Sequence, residues 1–195
     1  MRHDIVLDGP AFRLRPIADT DAAFVVALRS DPRLNRFLHA TPISLDSQLD
    51  WLANYYERLG DWYFVLERRC NGVPEGLISL YDLDAYQHNA EWGRWILRPG
   101  SLAAVESAWL IYHFAFEQLN LREVYCRTVA SNHPVVSFHD SCGITKRTLL
   151  PGHFVLDDRL DAVEHRVDEA NWAALGPRLK HLSHRMARRI QYDNI

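Results

Sequence analysis

Cysteine is scarce: the 195-residue chain has three, Cys70, Cys126 and Cys142. They form no CxxC pair and leave one over, so neither a disulfide framework nor a thiolate zinc site is indicated. Each sits within an apolar stretch, where a free thiol behaves as a small hydrophobe. A reducing compartment fits that usage. Long apolar runs are also missing: nothing approaches the roughly 18 residues of a membrane span, and MRHDIVLDGP holds no apolar core of an export signal. A cytoplasmic protein without membrane contact is the expectation. Excess charge of one sign is lacking as well. With 22 Lys and Arg against 25 Asp and Glu, the net charge is −3, and nothing draws the whole molecule to nucleic acid. Ten histidines are present, but none lies in an HExxH or similar ligand spacing, so no metal is expected. No GxSxG elbow surrounds Ser137. Internal repeats, low-complexity tracts and Gly/Ser linkers are absent.

What is present is an ordinary globular composition, 48% hydrophobic and 24% charged, in a chain sized for one domain. Ala11–Ile17 alternates as a half-buried strand does, with Phe12 and Leu14 against Arg13 and Arg15. Asp19 and Asp21 stand as N-terminal acids before an apolar helix from Ala22 to Leu28. Ser44 precedes a second amphipathic helix through Leu45, Leu49, Leu52 and Tyr56. Trp62–Leu66, Gly76–Tyr81 and Ala90–Leu97 form a strand meander, with a turn at Asn71-Gly72 and a stop at Pro99-Gly100. The clearest periodicity runs over 102–119, where Leu102, Val105, Ala108, Trp109, Tyr112, Ala115, Phe116 and Leu119 share a helical face. Strand Glu123–Val129 follows. Asn132 opens the next helix, with Pro134 in its first turn, and Gly143 ends it. Thr148–Leu156 and Val163–Val167 read as a final antiparallel pair. A strand–helix–strand crossover inside a mostly antiparallel sheet is a mixed α/β arrangement.

Two places hold candidate chemistry. The turn Arg98-Pro99-Gly100-Ser101 meets the start of the long helix, where free N–H groups and the helix dipole favour an anion. Strand-to-helix turns also use glycine for plain geometric reasons. On the helix after Asn132, the residues Val135, Phe138, His139 and Cys142 share a face; Asn132 reads as a cap and His139 as an inward, hydrogen-bonded ring.

The run Asn132–Ile144 (NHPVVSFHDSCGI) resembles the motif that closes the acetyl-CoA site in the GNAT superfamily of N-acetyltransferases. FRLRPIADTDAAFVVALRSDP, GLISLYDLD, AEWGRWIL and YHFAFEQLNLREVYCRTVASN resemble, in order, the other segments of its RimJ/RimL branch, so the likeness spans residues 11–172. It implies a GNAT-type fold, a largely antiparallel central sheet with a splayed parallel strand pair and flanking helices. Acetyl-CoA would bind between the strands Glu91–Leu97 and Glu123–Val129, with the pantetheine running along the first strand to Leu97. The pyrophosphate would rest on Gly100, Ser101, Leu102, Ala103 and Ala104. Asn132 and Phe138 would touch the cofactor arm. His139 falls where the family has a tyrosine, or in amino-sugar acetyltransferases often a histidine, beside the thioester sulfur. As an imidazolium, or through water, it would protonate the departing thiolate. Glu91 falls at a frequently acidic position and would accept the amine proton. One departure stands out. Against the family loop R/Q-x-x-G-x-G/A, only Ala104 of Pro99–Ala104 matches, and Leu102 replaces the middle glycine.

The aromatic run Trp51, Tyr55, Tyr56, Trp62, Tyr63 and Phe64 reads mainly as core. After residues 1–172, residues 173–195 read as a basic amphipathic segment opened by Gly176-Pro177. Its stripe is Leu179, Leu182, Met186 and Ile190, docked on its own domain or on a second copy of the chain. The expected activity is transfer of acetyl from acetyl-CoA to a primary amine of a small metabolite, such as an amino sugar on a nucleotide. Alternatives are a protein N-terminus or antibiotic amine as acceptor, or a degenerate domain that binds CoA or a partner without catalysis.

Overall fold

The computed structural model describes residues 1–37, 44–155 and 158–192. Its elements are β1 (Leu7–Asp8), β2 (Phe12–Pro16), α1 (Ala22–Ser30), α2 (Leu45–Tyr56), β3 (Trp62–Arg68), β4 (Pro74–Asp84), β5 (Asn89–Leu97), α3 (Ala104–His113), β6 (Glu123–Val129), α4 (His133–Cys142), β7 (Lys146–Val155), β8 (Arg159–Asp168) and α5 (Glu169–Tyr192). The sheet order is β1-β2-β3-β4-β5-β6-β8-β7, and every pairing is antiparallel except β5 with β6. The expected end of the seventh strand at Leu156 lies outside the described residues.

Strand alternation sorts the core onto two faces. Tyr63, Val65, Leu77 and Ile96 pack with Ala22, Val25, Leu28, Leu52 and Tyr55 of α1 and α2. Phe64, Leu66, Ile78, Leu80 and Trp92 point the other way, into α3, α4 and α5. Covered on both sides, β3 is buried from Trp62 through Leu66, which is why it reads as an unbroken apolar run.

Local chemistry sets the helix ends. The Asp21 carboxylate accepts from the Ala18 N–H (2.9 Å) and takes both arms of Arg15 (2.8 Å each) just before α1. Ser44 accepts from the Ser47 N–H (3.1 Å) and caps α2. Gly143 stops α4 with φ of 94°, the left-handed conformation that glycine adopts without strain. Asn132 stands before α4, but its side chain makes no capping bond, contrary to expectation.

Two boundaries differ from the periodicity. The long helix is α-helical only to His113; Phe114–Gln118 is a wider π turn, closed by Leu119 N–H to the Phe114 carbonyl (3.1 Å). That turn buries three consecutive residues, Phe114, Ala115 and Phe116. The C-terminal helix starts at Glu169 rather than after Gly176-Pro177, so residue 173 falls inside α5. Gly176 is not a breaker there: a Cβ would come 2.9 Å from the Trp172 ring, so glycine lets Trp172 fold back onto the helix. Leu175, Leu179 and Ile190 join the core beside α3, with Leu182 and Met186 half-buried at the edge. Cys70 also departs from its reading, lying exposed while Cys126 and Cys142 are buried.

Candidate active site

β5 and β6 pair at only three positions, ending at Glu91 opposite Tyr125. Beyond that point β6 continues against β8 and β5 against β4, so the two parallel strands part. Among the described residues, the facing edge of β5 from Trp92 to Leu97 has no strand partner there. A cleft of about 870 Å³ opens between them, bounded also by the start of α4 and by the segment after α1.

A bulge shapes the β5 wall. Ser79 faces Gly93 while Leu77 faces Ile96, so β5 holds one residue more than β4. Arg94 sits in the bulge with φ of 48°, unusual for a residue with a side chain. Its guanidinium makes two bonds to buried Asp61 (2.6 and 2.9 Å) and lies 4.3 Å from the Tyr81 ring centre. Such a bidentate pair offsets local backbone strain.

Glu91 is buried at the fork of the strands. One oxygen accepts from the Tyr81 hydroxyl (3.1 Å), the other from Arg127 (2.9 Å), which also bonds Glu164 (2.8 Å). Burial raises the Glu91 pKa above the usual carboxylate value, against the pull of Arg127 and the Tyr81 bond.

His139 is 2% exposed and lines the same cleft. Its Nε2 lies 3.7 Å from Cys126 Sγ, and its ring meets Trp92 edge-on at 5.3 Å. The neighbouring His165 ring is 5.0 Å away and is itself held by Asp140 (3.0 Å). Burial, reinforced by His165 and opposed by Asp140, pushes the His139 pKa down to about 3. A neutral ring is favoured near pH 7, because burial of a charge there outweighs the opposing pull of Asp140; of the two expected routes this favours the one through water over the imidazolium. Burial likewise drives the Cys126 thiol pKa far up, which disfavours a thiolate there.

Of the residues singled out in the sequence, Glu91, Leu97, Asn132 and His139 line the cleft. Gly100, Ser101, Leu102, Ala103, Ala104 and Phe138 do not form its wall. Phe138 packs on Trp95 (5.0 Å), and Ala103 is fully buried with Leu102 against the core. The Ser101 hydroxyl donates to buried Glu75 (2.6 Å), which also binds Arg68. Gly100, with φ of 83°, has open space around it. Sequence reasoning missed the Tyr81–Glu91–Arg127 network and the Arg94–Asp61 pair. Their partners lie 10 to 36 residues apart, and only the fold brings them together.

Among the described residues no group of three or more His, Cys, Asp or Glu could hold a metal, and no helix is long and apolar enough to cross a membrane.

The chain belongs to the GNAT acetyltransferase family: the model of its acetyltransferase (GNAT) domain matches residues 12–145, more than half of the sequence. Solved structures share the fold. FdhC, a nucleotide-linked sugar GNAT, is 25% identical, with 88% of this chain and 94% of that one covered and a TM-score of 0.73. A GCN5-related N-acetyltransferase from Brucella melitensis is 20% identical over 93% of this chain and 86% of its own, with a TM-score of 0.81. Spermidine N-acetyltransferase from Vibrio cholerae, solved with CoA and spermine, is 19% identical over 83% and 98%, with a TM-score of 0.74. No curated protein matches the chain. The mixed α/β GNAT fold, the class of N-acetyltransferase and the use of acetyl-CoA by that class thus agree with what the sequence implied.

Proposed function

We propose that the cleft between β5 and β6 takes acetyl-CoA and transfers its acetyl group to the primary amine of a small metabolite, in the manner of the RimJ/RimL branch. An amino sugar carried on a nucleotide is the favoured acceptor, in keeping with the FdhC likeness. The observation that carries this reading is the unpartnered edge of β5 from Trp92 to Leu97, beginning beside Glu91 and lying against the cleft that His139 lines. An extended, amide-bearing pantetheine arm is the kind of chain such an edge pairs. Asn132, whose side chain caps nothing, would reach the arm, and Phe138 would act only through Trp95, against which it packs. The Gly100–Ala104 turn, with Ser101 committed to Glu75, would hold the pyrophosphate through main-chain N–H groups only.

In the reaction the neutral amine attacks the thioester carbonyl carbon, the C–N bond forms, the C–S bond breaks, and one proton passes from nitrogen to sulfur. Glu91 accepts the amine proton, directly or through water; burial makes it a better base than a solvated glutamate. Neutral His139 donates a ring N–H hydrogen bond to the departing sulfur without losing that proton. Glu91 passes the amine proton to water, and the thiolate, with an ordinary thiol pKa near 8.5, takes a proton from water in turn. Positioning contributes the remainder.

A second reading has its own observation. Glu75 sets a carboxylate beside the turn meant for the diphosphate, which favours a domain that binds CoA weakly or binds without turnover. Thiol release from acetyl-CoA, followed with amino sugars, nucleotide-linked amino sugars and polyamines, tests both. Release that requires an amine supports transfer. A rise in melting temperature with acetyl-CoA but no release with any amine supports binding alone.

A further inference from the structure

The wall of the cleft is unevenly charged. Among the described residues lining it there are five arginines (Arg29, Arg33, Arg36, Arg94 and Arg127) and one carboxylate, Glu91. Two of these arginines lie on the sheet strands, Arg94 paired with Asp61 and Arg127 with Glu91 and Glu164. The other three come from one stretch, the end of α1 and the turns that follow it. Arg33 shares its charge with Asp31 (2.6 Å), while Arg36 is exposed and lies 5.2 Å from the Phe37 ring centre. The backbone holds this stretch in place: Leu34 and Asn35 N–H both bond back to the Asp31 carbonyl (2.9 and 3.0 Å).

We propose that Arg29, Arg33 and Arg36 form an anion-recognising rim, and that the acceptor amine entering this cleft carries a phosphoryl group that the rim binds. The proposal rests on the reading of the cleft as the transfer site and adds the residues that select its acceptor by a phosphoryl group. Guanidinium forks match phosphate oxygens in shape as well as charge. A polyamine would meet like charge at the same mouth, and desolvating cations beside arginines is unfavourable.

CoA also carries phosphates, but the rim stands on the other side. It extends from α1, which packs with α2 on one face of the sheet. The Pro99–Ala104 turn leads into α3, which packs on the opposite face. The diphosphate of CoA, placed at the start of α3, leaves the α1 rim to a second ligand.

Calorimetric titration of UDP and of spermidine into the full chain saturated with CoA tests the rim. UDP is expected to bind and spermidine not to. Arg36→Gln should weaken UDP by about threefold to tenfold, and Arg29→Gln with Arg36→Gln by more than tenfold, with CoA affinity within twofold of wild type. Because Arg29 is half-buried, melting temperature is measured for both variants; the exposed Arg36→Gln decides the matter if the double variant is unstable. Failure of UDP to bind, equal binding of spermidine, or a parallel loss of CoA affinity in the variants would overturn the proposal. If the chain binds no CoA at all, the transfer reading fails separately, and the same UDP titration on the free protein still reports whether the rim binds phosphate.

Discussion

Replacing Glu106 by glutamine should stabilise this protein at alkaline pH and leave it unchanged in acid. Glu106 lies in the first turn of α3 and is 1% exposed. Its Oε1 accepts from the Ala11 and Phe12 N–H groups (2.9 and 2.7 Å), tying α3 to the start of β2. Its Oε2 is buried without a hydrogen-bond partner among the described residues. Burial pushes the pKa from 4.5 up to about 7, despite the two backbone bonds and Arg69. Between those values the folded protein holds a proton that the unfolded chain has released, so stability falls as pH rises through that window and stays lower above it. At about 1.4 kcal/mol per unit, the penalty reaches about 3 kcal/mol. Glutamine keeps the carbonyl acceptor for both amides and never ionises. The variant should therefore match wild type below about pH 4.5 and exceed it by up to about 3 kcal/mol above about pH 8, or on the order of 5–10 °C in Tm. Urea denaturation of both proteins across that range reads the difference directly, because other titrating groups cancel. A variant no more stable than wild type at about pH 8 would refute the reasoning, as would a difference that does not grow with pH.

Other outcomes follow from the same structure. His139→Phe retains the ring packing on Trp92 and should lower kcat by about 10²–10³ with the fold intact, since the hydrogen bond to the departing sulfur is lost; full activity in a folded variant would leave His139 a packing residue. Because the folded pKa of His139 is depressed from 6.5 to about 3, wild type should lose stability as pH falls below about 6.5 and the Phe variant should lose less, measured by denaturation at about pH 5. Leu179→Ala, at a site 1% exposed on α5, should cost about 2–5 kcal/mol, and Leu182→Ala at the half-buried edge clearly less. Equal effects at the two positions would mean that α5 is not packed as described.

The central strands were legible because they are buried over long stretches and announce themselves as aromatic and β-branched runs. Trp62–Leu66, Gly76–Tyr81 and Ala90–Leu97 each lie inside the observed strand. Leu7–Asp8 was not legible, since two residues carry no period. Gly176-Pro177 misled for a physical reason: both are breakers in isolation, but the glycine makes room for Trp172 and the apolar contacts of α5 outweigh the bond lost at proline. Within the site, the ordered family segments brought Glu91, Asn132 and His139 to one cleft. Protonation was out of reach, because the neutrality of His139 depends on Trp92, Cys126 and His165 closing around it. Arg94 gave no sign either. Its left-handed backbone is tolerated through Asp61, thirty-three residues earlier, and the glycine that marks the bulge, Gly93, stands one residue before it.

The central claim is that acetyl-CoA lies along the open edge of β5, and hydrogen–deuterium exchange with and without acetyl-CoA tests it most directly. Ligand should slow exchange of amides in residues 92–97 and in the stretch from 128 to 136, where β6 ends and α4 begins. Protection confined to other regions, such as the separate pocket lined by Cys70 and Ala187, or no protection at saturating acetyl-CoA, would contradict it.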